Sequence, residues 1–157
     1  MQNVTEYYAK DHDRLDGLFK DFQANKKTDF KKAKEAFVEF RSGLQRHIVW
    51  EEQILFPLFE QKTGMPKELG PTAVMRKEHR QIGEALEGIH QRVKMGDSNS
   101  DGYETRLLEV LGQHNLKEER ILYPAIDQSL NQKECEQVFL EMESITAQGP
   151  ISCCEKC

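Results

Sequence analysis

The amino-acid sequence predicts an all-α protein, an up-down-up-down four-helix bundle with a short fifth C-terminal helix. Three observations predict it. Apolar residues recur at three- and four-residue spacing along most of the chain, charges of both signs are interspersed with few β-branched runs, and the first half of the chain is echoed in the second at a fixed offset. The 157 residues are 38% apolar and 31% charged, and a chain of that length can bury roughly two thirds of its unfolded surface in one compact domain.

The first helix, about residues 3 to 25, carries Val4, Tyr8, Leu15, Leu18, Phe19 and Phe22 and ends in the polar run Gln23 to Lys27. The second begins after Thr28, read as its N-cap with Asp29 in the first turn. It carries Phe30, Ala33, Phe37, Phe40, Leu44, Ile48, Leu55 and Leu58 to about residue 62, before Thr63-Gly64-Met65-Pro66. The third starts near Pro71 and stops at Gly96, a natural left-handed terminus. The fourth runs from about Tyr103 to residue 128, and a shorter fifth follows Asn131 as far as Ala147. Pro57 and Pro124 fall inside helical patterns, where each removes a backbone donor and is expected to kink or break its helix. The chain therefore divides into a bundle over 1–130, an accessory helix over 131–147 and an irregular cysteine-containing tail over 148–157.

Residues 47 to 61, HIVWEEQILFPLFEQ, and 114 to 128, HNLKEERILYPAIDQ, align without a gap at an offset of 67 residues. The same offset carries His12 onto His79, so the chain reads as two copies of one helical hairpin. In an antiparallel hairpin, residues at one height are equidistant from the turn between them. The midpoints of His12–His47, His47–His79 and His79–His114 fall at 29 to 30, at 63 and at 96 to 97, all at or beside expected loops. The four histidines thus share one level, one on each helix.

On a helix, residues i and i+4 project from one face about 6 Å apart, so His47 with Glu51 and His114 with Glu118 each offer a nitrogen and an oxygen to a common centre. With His12 and His79 as terminal groups, six ligands converge. Burying four imidazoles and two carboxylates in one layer without metal would cost several kcal/mol per unpaired charge. Glutamates can bridge two ions and neutralise them, and six protein donors leave positions on two six-coordinate irons for a bridging oxygen and an exogenous small molecule. Affinity order alone does not select iron over zinc or another divalent metal. Glu52 and Glu119 point about 100° away from the ligand face and are read as solvated groups or as outer supports of the ligands. Tyr8 and Met75, one turn before His12 and His79, are expected in the core, although a phenol at that place could gate or ligate a metal; Trp50, Phe56 and Tyr123 form a dry aromatic wall. His90 has no counterpart in the repeat and is read as structural.

The segments DHDRL, HIVWEEQILFP, MRKEH and HNLKEERILYP resemble the hemerythrin-like, or HHE cation-binding, family over about residues 8 to 128. The resemblance implies a four-helix bundle with an oxo- or hydroxo-bridged pair of non-haem irons, held at His12, His47, Glu51, His79, His114 and Glu118. The oxygen-carrying members have a second histidine one turn after the first in the third helix, where this chain has Gly83. Their last carboxylate follows its histidine by five residues, where Glu118 follows by four. The symmetric set is more similar to the family's sensory, iron-handling and nitric-oxide- or peroxide-related members.

The net charge of −5 and the lack of a dense basic patch argue against nucleic acid or an anionic membrane as partner. No apolar leader or membrane-length apolar run is evident, so a cytoplasmic location is expected. Cys153, Cys154 and Cys157 crowd the end of the chain, as a reduced tail, a redox pair or a softer metal site able to engage a protein partner; three thiols need Cys135 or a second chain to complete a zinc site. The expected function is a di-iron protein that binds or senses oxygen, nitric oxide or peroxide. Its rivals are a di-iron oxidoreductase acting on peroxide or nitric oxide, with an open position opposite Gly83, and an iron storage or delivery module using the cysteine tail.

Overall fold

A computed structural model describes residues 2–147, which form helices joined by short turns and loops, with no strand among them. Helix α1 spans Val4–Asn25, α2 Phe30–Trp50, α3 Phe56–Thr63, α4 Pro71–Lys94, α5 Asp101–Lys117, α6 Tyr123–Ser129 and α7 Gln132–Ala147. Helices α2 and α3 are joined by a π-helical turn, Glu51–Leu55, and α5 and α6 by another, Glu118–Leu122. Four rods result, α1, α2–α3, α4 and α5–α6, with α7 as the expected short fifth helix. None of the described helices is long and apolar enough to cross a membrane.

The ends of the rods follow local chemistry. Asn3 accepts from the Glu6 amide at 2.8 Å, and the Asp127 carboxylate, at the far end of the fourth rod, accepts from the Val4 and Thr5 amides and the Thr5 hydroxyl. The repeat reproduces this brace: Thr72, the counterpart of Thr5, donates to Glu60, the counterpart of Asp127, at 2.6 Å. The amide donor that Val4 supplies is missing there because its counterpart is Pro71. Helix α2 is capped by Asp29, whose carboxylate accepts from the Lys32 amide at 3.1 Å, and not by Thr28 as expected. Thr28 instead donates its amide to Asn25 O and completes the preceding turn. Gly64 and Gly96 take φ of 70° each, the left-handed conformation that ends α3 and the α4 segment. Asn131 and Glu134 cap α7 reciprocally, each side chain accepting from the other's amide.

The two prolines neither break nor sharply end their rods. At each, the backbone widens by one residue: the Phe56 amide reaches Glu51 O and the Tyr123 amide reaches Glu118 O. The inserted residue moves the carbonyl that the pyrrolidine ring would strike and absorbs the missing donor. The apolar interior forms two clusters. One holds Leu15, Phe19, Phe37, Phe40, Ile82 and Leu107 toward one end. The other holds Val4, Trp50, Phe56, Met75, Leu122 and Ile126 and is closed by Val138 and Met142 of α7. The histidine layer lies between them. Cys135 is buried, its thiol 3.7 Å from Gln2 O, while Cys153, Cys154 and Cys157 lie outside the described residues.

Candidate metal centre

All six residues singled out by the repeat reach one buried layer. His12 comes from α1, His47 from α2, His79 from α4 and His114 from α5, while Glu51 and Glu118 each occupy the first position of a π turn. Both glutamates are 0% exposed and the histidines at most 5%. Their donor atoms fall into two overlapping groups, Glu51, His79, His114 and Glu118 in one, His12, His47 and Glu118 in the other, with all atoms of a group within 4.8 Å of each other. The Nε2 atoms of His12 and His47 are 3.2 Å apart. His79 Nε2 lies 3.0 Å from Glu51 Oε2, and His114 Nε2 lies 3.1 Å from Glu118 Oε1.

These atoms are close, yet several are not hydrogen-bonded. Glu51 Oε2, both Glu118 oxygens and His79 Nε2 are buried with no partner in hydrogen-bond geometry. Leaving such groups unsatisfied costs about 1–3 kcal/mol each, more when charged. A cation that accepts lone pairs from all of them removes that cost, so the donor set fits a metal. Without it, the layer balances its own charge. Burial opposes protonation of His47 and His79, but the neighbouring carboxylates outweigh it, Glu51 foremost, and push His47 up to about 10 and His79 up to about 9. Burial likewise opposes ionisation of Glu51, and the facing imidazoles, His47 first, hold it well below the usual carboxylate range.

Three of the four histidines of the layer are also gripped from behind. His47 Nδ1 donates to Asp11 at 2.8 Å and His114 Nδ1 to Glu78 at 3.1 Å. His12 Nδ1 lies 2.7 Å from Glu119, and His79 Nδ1 lies 3.7 Å from Glu52. A carboxylate on the outer nitrogen fixes the ring and leaves Nε2 pointing inward. Glu119 is thus a support of His12 and not merely solvated, whereas Glu52 stands off His79 Nδ1, which has no hydrogen-bond partner. Asp11 and Glu78 were not anticipated, although each immediately precedes a ligand histidine and the two are themselves related by the 67-residue offset.

The aromatic surroundings differ from expectation in one respect. Tyr8 packs its ring 4.9 Å from that of His47, but its hydroxyl points away, to Met142 Sδ at 3.4 Å. The phenol at the centre belongs to Tyr123, whose hydroxyl donates to Glu51 Oε1 and lies 3.2 Å from His47 Nε2. Burial, then the charges of Glu118 and Glu51, hold this phenol well above its ordinary range, so it is a donor. His90 is part-exposed and stacks on Phe37, apart from the layer.

A small cavity touches the layer on the side of the first apolar cluster. Leu15, Phe40, Leu44, Ile82 and Leu111 wall it, His12, His47, His114 and both glutamates form its floor, and Asp16 and Asn115 stand at its edge. It has room for about one water-sized molecule. Gly83 is exposed and takes no part in this wall; the α4 residue that faces the cavity is its neighbour Ile82.

Comparison with known proteins agrees with this geometry. The hemerythrin HHE cation binding domain matches residues 3–126. Among curated proteins, the iron-sulfur cluster repair protein YtfE of Escherichia coli O81 (strain ED1a) is 33% identical over 90 residues, covering 52% of this chain and 40% of that protein. The protein of the same name from Enterobacter sp. (strain 638) is 33% identical over 87 residues, 50% of this chain and 39% of its own length. That of Escherichia coli (strain K12 / DH10B) is 48% identical over 46 residues, covering 29% and 20%. The chain thus spans well under half the length of these relatives. No solved structure matches it.

Proposed function

Because the chain belongs to the hemerythrin HHE cation-binding domain family, we propose that it is a non-haem di-iron protein that binds or senses a small ligand, oxygen, nitric oxide or peroxide. The ligands are His12, His47, Glu51, His79, His114 and Glu118. The observation that carries this reading is the pair of π turns, each setting a buried glutamate four residues after a histidine at the same level as two further histidines. When bound, two irons supply redox chemistry and a Lewis-acidic site for a small ligand. The chain's residues do the rest. Asp11, Glu78 and Glu119 orient three of the imidazoles, Tyr123 holds a proton at Glu51 Oε1, and the apolar wall excludes bulk water and admits only a small molecule.

The test is anaerobic loading with ferrous iron, followed by a metal count and optical spectra after separate exposure to oxygen, nitric oxide and peroxide. Two irons per chain and a stable spectral change with one ligand are expected. Fewer than one iron per chain would overturn the reading, and sustained consumption of peroxide or nitric oxide with an electron donor would move it to an oxidoreductase. A second reading, iron handling for damaged iron–sulfur clusters, is favoured by the names of the curated relatives. It expects iron to pass from the loaded protein to a cluster-free acceptor protein, and deletion of residues 150–157 to slow that transfer if the cysteine tail delivers it.

A further inference from the structure

Helix α7 packs on only one half of the repeat. Its Phe139 ring lies 5.2 Å from that of Tyr7, and its Val138 and Met142 share an apolar cluster with Trp50 and Ile54. At the 67-residue offset the counterparts of Tyr7, Trp50 and Ile54 are Val74, Lys117 and Ile121. Among the described residues no helix takes the place of α7 there. Ile54 is 5% exposed but Ile121 is 64% exposed, and Val74 is 47% exposed. Leu116, the counterpart of buried Val49, is 39% exposed. Where the first half of the repeat is a bed for a helix, the second half presents the same bed uncovered, and grouped exposed apolar side chains mark an interaction surface. The border of this face is basic. Val74 lines a surface hollow with Lys67, Lys77 and Arg80 against one acid, Glu68, and Arg120 stands exposed next to Ile121 in the chain.

We propose that the face centred on Val74, Leu116 and Ile121 is a docking surface for an acidic amphipathic helix of a partner protein, laid across it as α7 lies on the first half. The helix α7 shows what such a bed takes. It carries four glutamates and one lysine, and on the first half Glu134 bonds Lys62 while Glu143 shares a groove with Arg46. On the second half, apolar side chains spaced i, i+3 or i+4 and i+7 on the partner would enter between the exposed aliphatic groups, and carboxylates beside them would meet Lys77, Arg80 and Arg120. A second copy of this chain fits less well. Meeting the face with its own would set cations against cations, and the apolar side of its α7 is already buried on its own rod. The inference is independent of the metal layer and of the ligand it takes.

The probe is a fluorescein-labelled peptide with the sequence of α7, residues 132–147 carrying Cys135→Ser, titrated with the full chain and followed by fluorescence anisotropy. Saturable binding of one peptide per chain is expected, weakening as salt is raised. Ile121→Glu and Val74→Glu are each expected to weaken it about tenfold or more, because an acid there removes an apolar contact and repels the peptide. Both positions are exposed, so helicity by circular dichroism should not change. A peptide with Glu134, Glu136, Glu141 and Glu143→Lys is expected not to bind. The inference is overturned if the α7 peptide fails to bind, if it binds the Ile121→Glu and Val74→Glu chains as tightly as the wild type, as it would by displacing the chain's own α7, or if the lysine peptide binds equally well. It is also overturned if sedimentation equilibrium shows a dimer that Ile121→Glu abolishes, which would give the face to a second copy, or if the same substitution abolishes co-sedimentation with phosphatidylserine vesicles, which would give it to a membrane.

Discussion

At the scale of single residues, the outer carboxylates are the least conspicuous part of the centre and the easiest to test. Asp11 and Glu78 touch no metal, but each fixes the imidazole of the following rod through Nδ1. Asp11→Asn and Glu78→Gln are expected to lower metal affinity by about 10- to 100-fold, the usual cost of losing such a support, with helicity by circular dichroism unchanged. Affinity measured by chelator competition checks this, and an effect within twofold would show that packing alone orients the rings. That these six residues share one layer was legible in the sequence because i, i+4 spacing, the offset of 67 and the loop midpoints converge on the same residues. The outer carboxylates were harder to see. Asp11 and Glu78 lie next to ligands along the chain but grip histidines on a neighbouring rod, and a contact between rods leaves no local period. Tyr8 lies in the core as expected, whereas Tyr123, expected in an aromatic wall, is the phenol that reaches Glu51. Helical spacing says which face Tyr8 occupies, but Met142 on α7 draws its hydroxyl away.

At the scale of elements, two braces outside the centre carry distinct expectations. At the end remote from α7, Lys26 is buried and bonds Glu104 at 2.5 Å and also Asp101, while Ser100 and Gln23 donate to the same Glu104 carboxylate. Lys26→Met would strand a buried carboxylate and is expected to destabilise the fold by about 3–5 kcal/mol. Adding Glu104→Leu should restore most of that loss, and urea denaturation of the single and double variants measures the difference. At the other end, Glu60 accepts from Arg76 at 2.6 and 3.2 Å and from Thr72, and the Arg76 hydrogen bonds, against some burial, lower its pKa from 4.5. A carboxylate with a depressed folded-state pKa contributes stability that is present above its unfolded value of about 4.5 and is lost as the pH falls through the lower folded value. Glu60→Gln is expected to flatten this acid limb of the stability profile without changing the slope at neutral pH. The element boundaries were mostly readable, but the π turns were not. Pro57 and Pro124 announced a disturbance, yet the choice between a break and a one-residue insertion depends on keeping Glu51 and Glu118 turned inward, which is a demand of the bundle and not of the local sequence.

At the scale of the whole molecule, the fold consists of two apolar clusters separated by a layer that is polar, charged and buried. Such a layer should make stability depend on metal. At a free metal concentration about 100-fold above the dissociation constant, linkage adds roughly 2.7 kcal/mol per site, so the melting temperature of the loaded protein is expected to exceed that of the metal-free protein by several degrees. Differential scanning calorimetry across a metal series checks this, and a melting temperature independent of metal would count against a resident ion. The overall class, the helix order and the level of the layer were all legible, because apolar spacing and loop midpoints are global constraints written along the chain. The cavity was not, since its walls come from all four rods.

The outer supports also have a mechanical consequence. His47 and His114 are held by acids of their own hairpin, but His12 is held by Glu119 and faces Glu118, both from the second hairpin, and His79 faces Glu51 and Glu52, both from the first. Neither hairpin can finish its half of the layer alone. The metal layer is therefore a seam joining two nearly equivalent pieces, and the loop between Thr63 and Pro71 serves to keep them at high local concentration. A chain nicked in that loop would retain every donor, and the ions would then act as the clasp that decides whether the two pieces stay together.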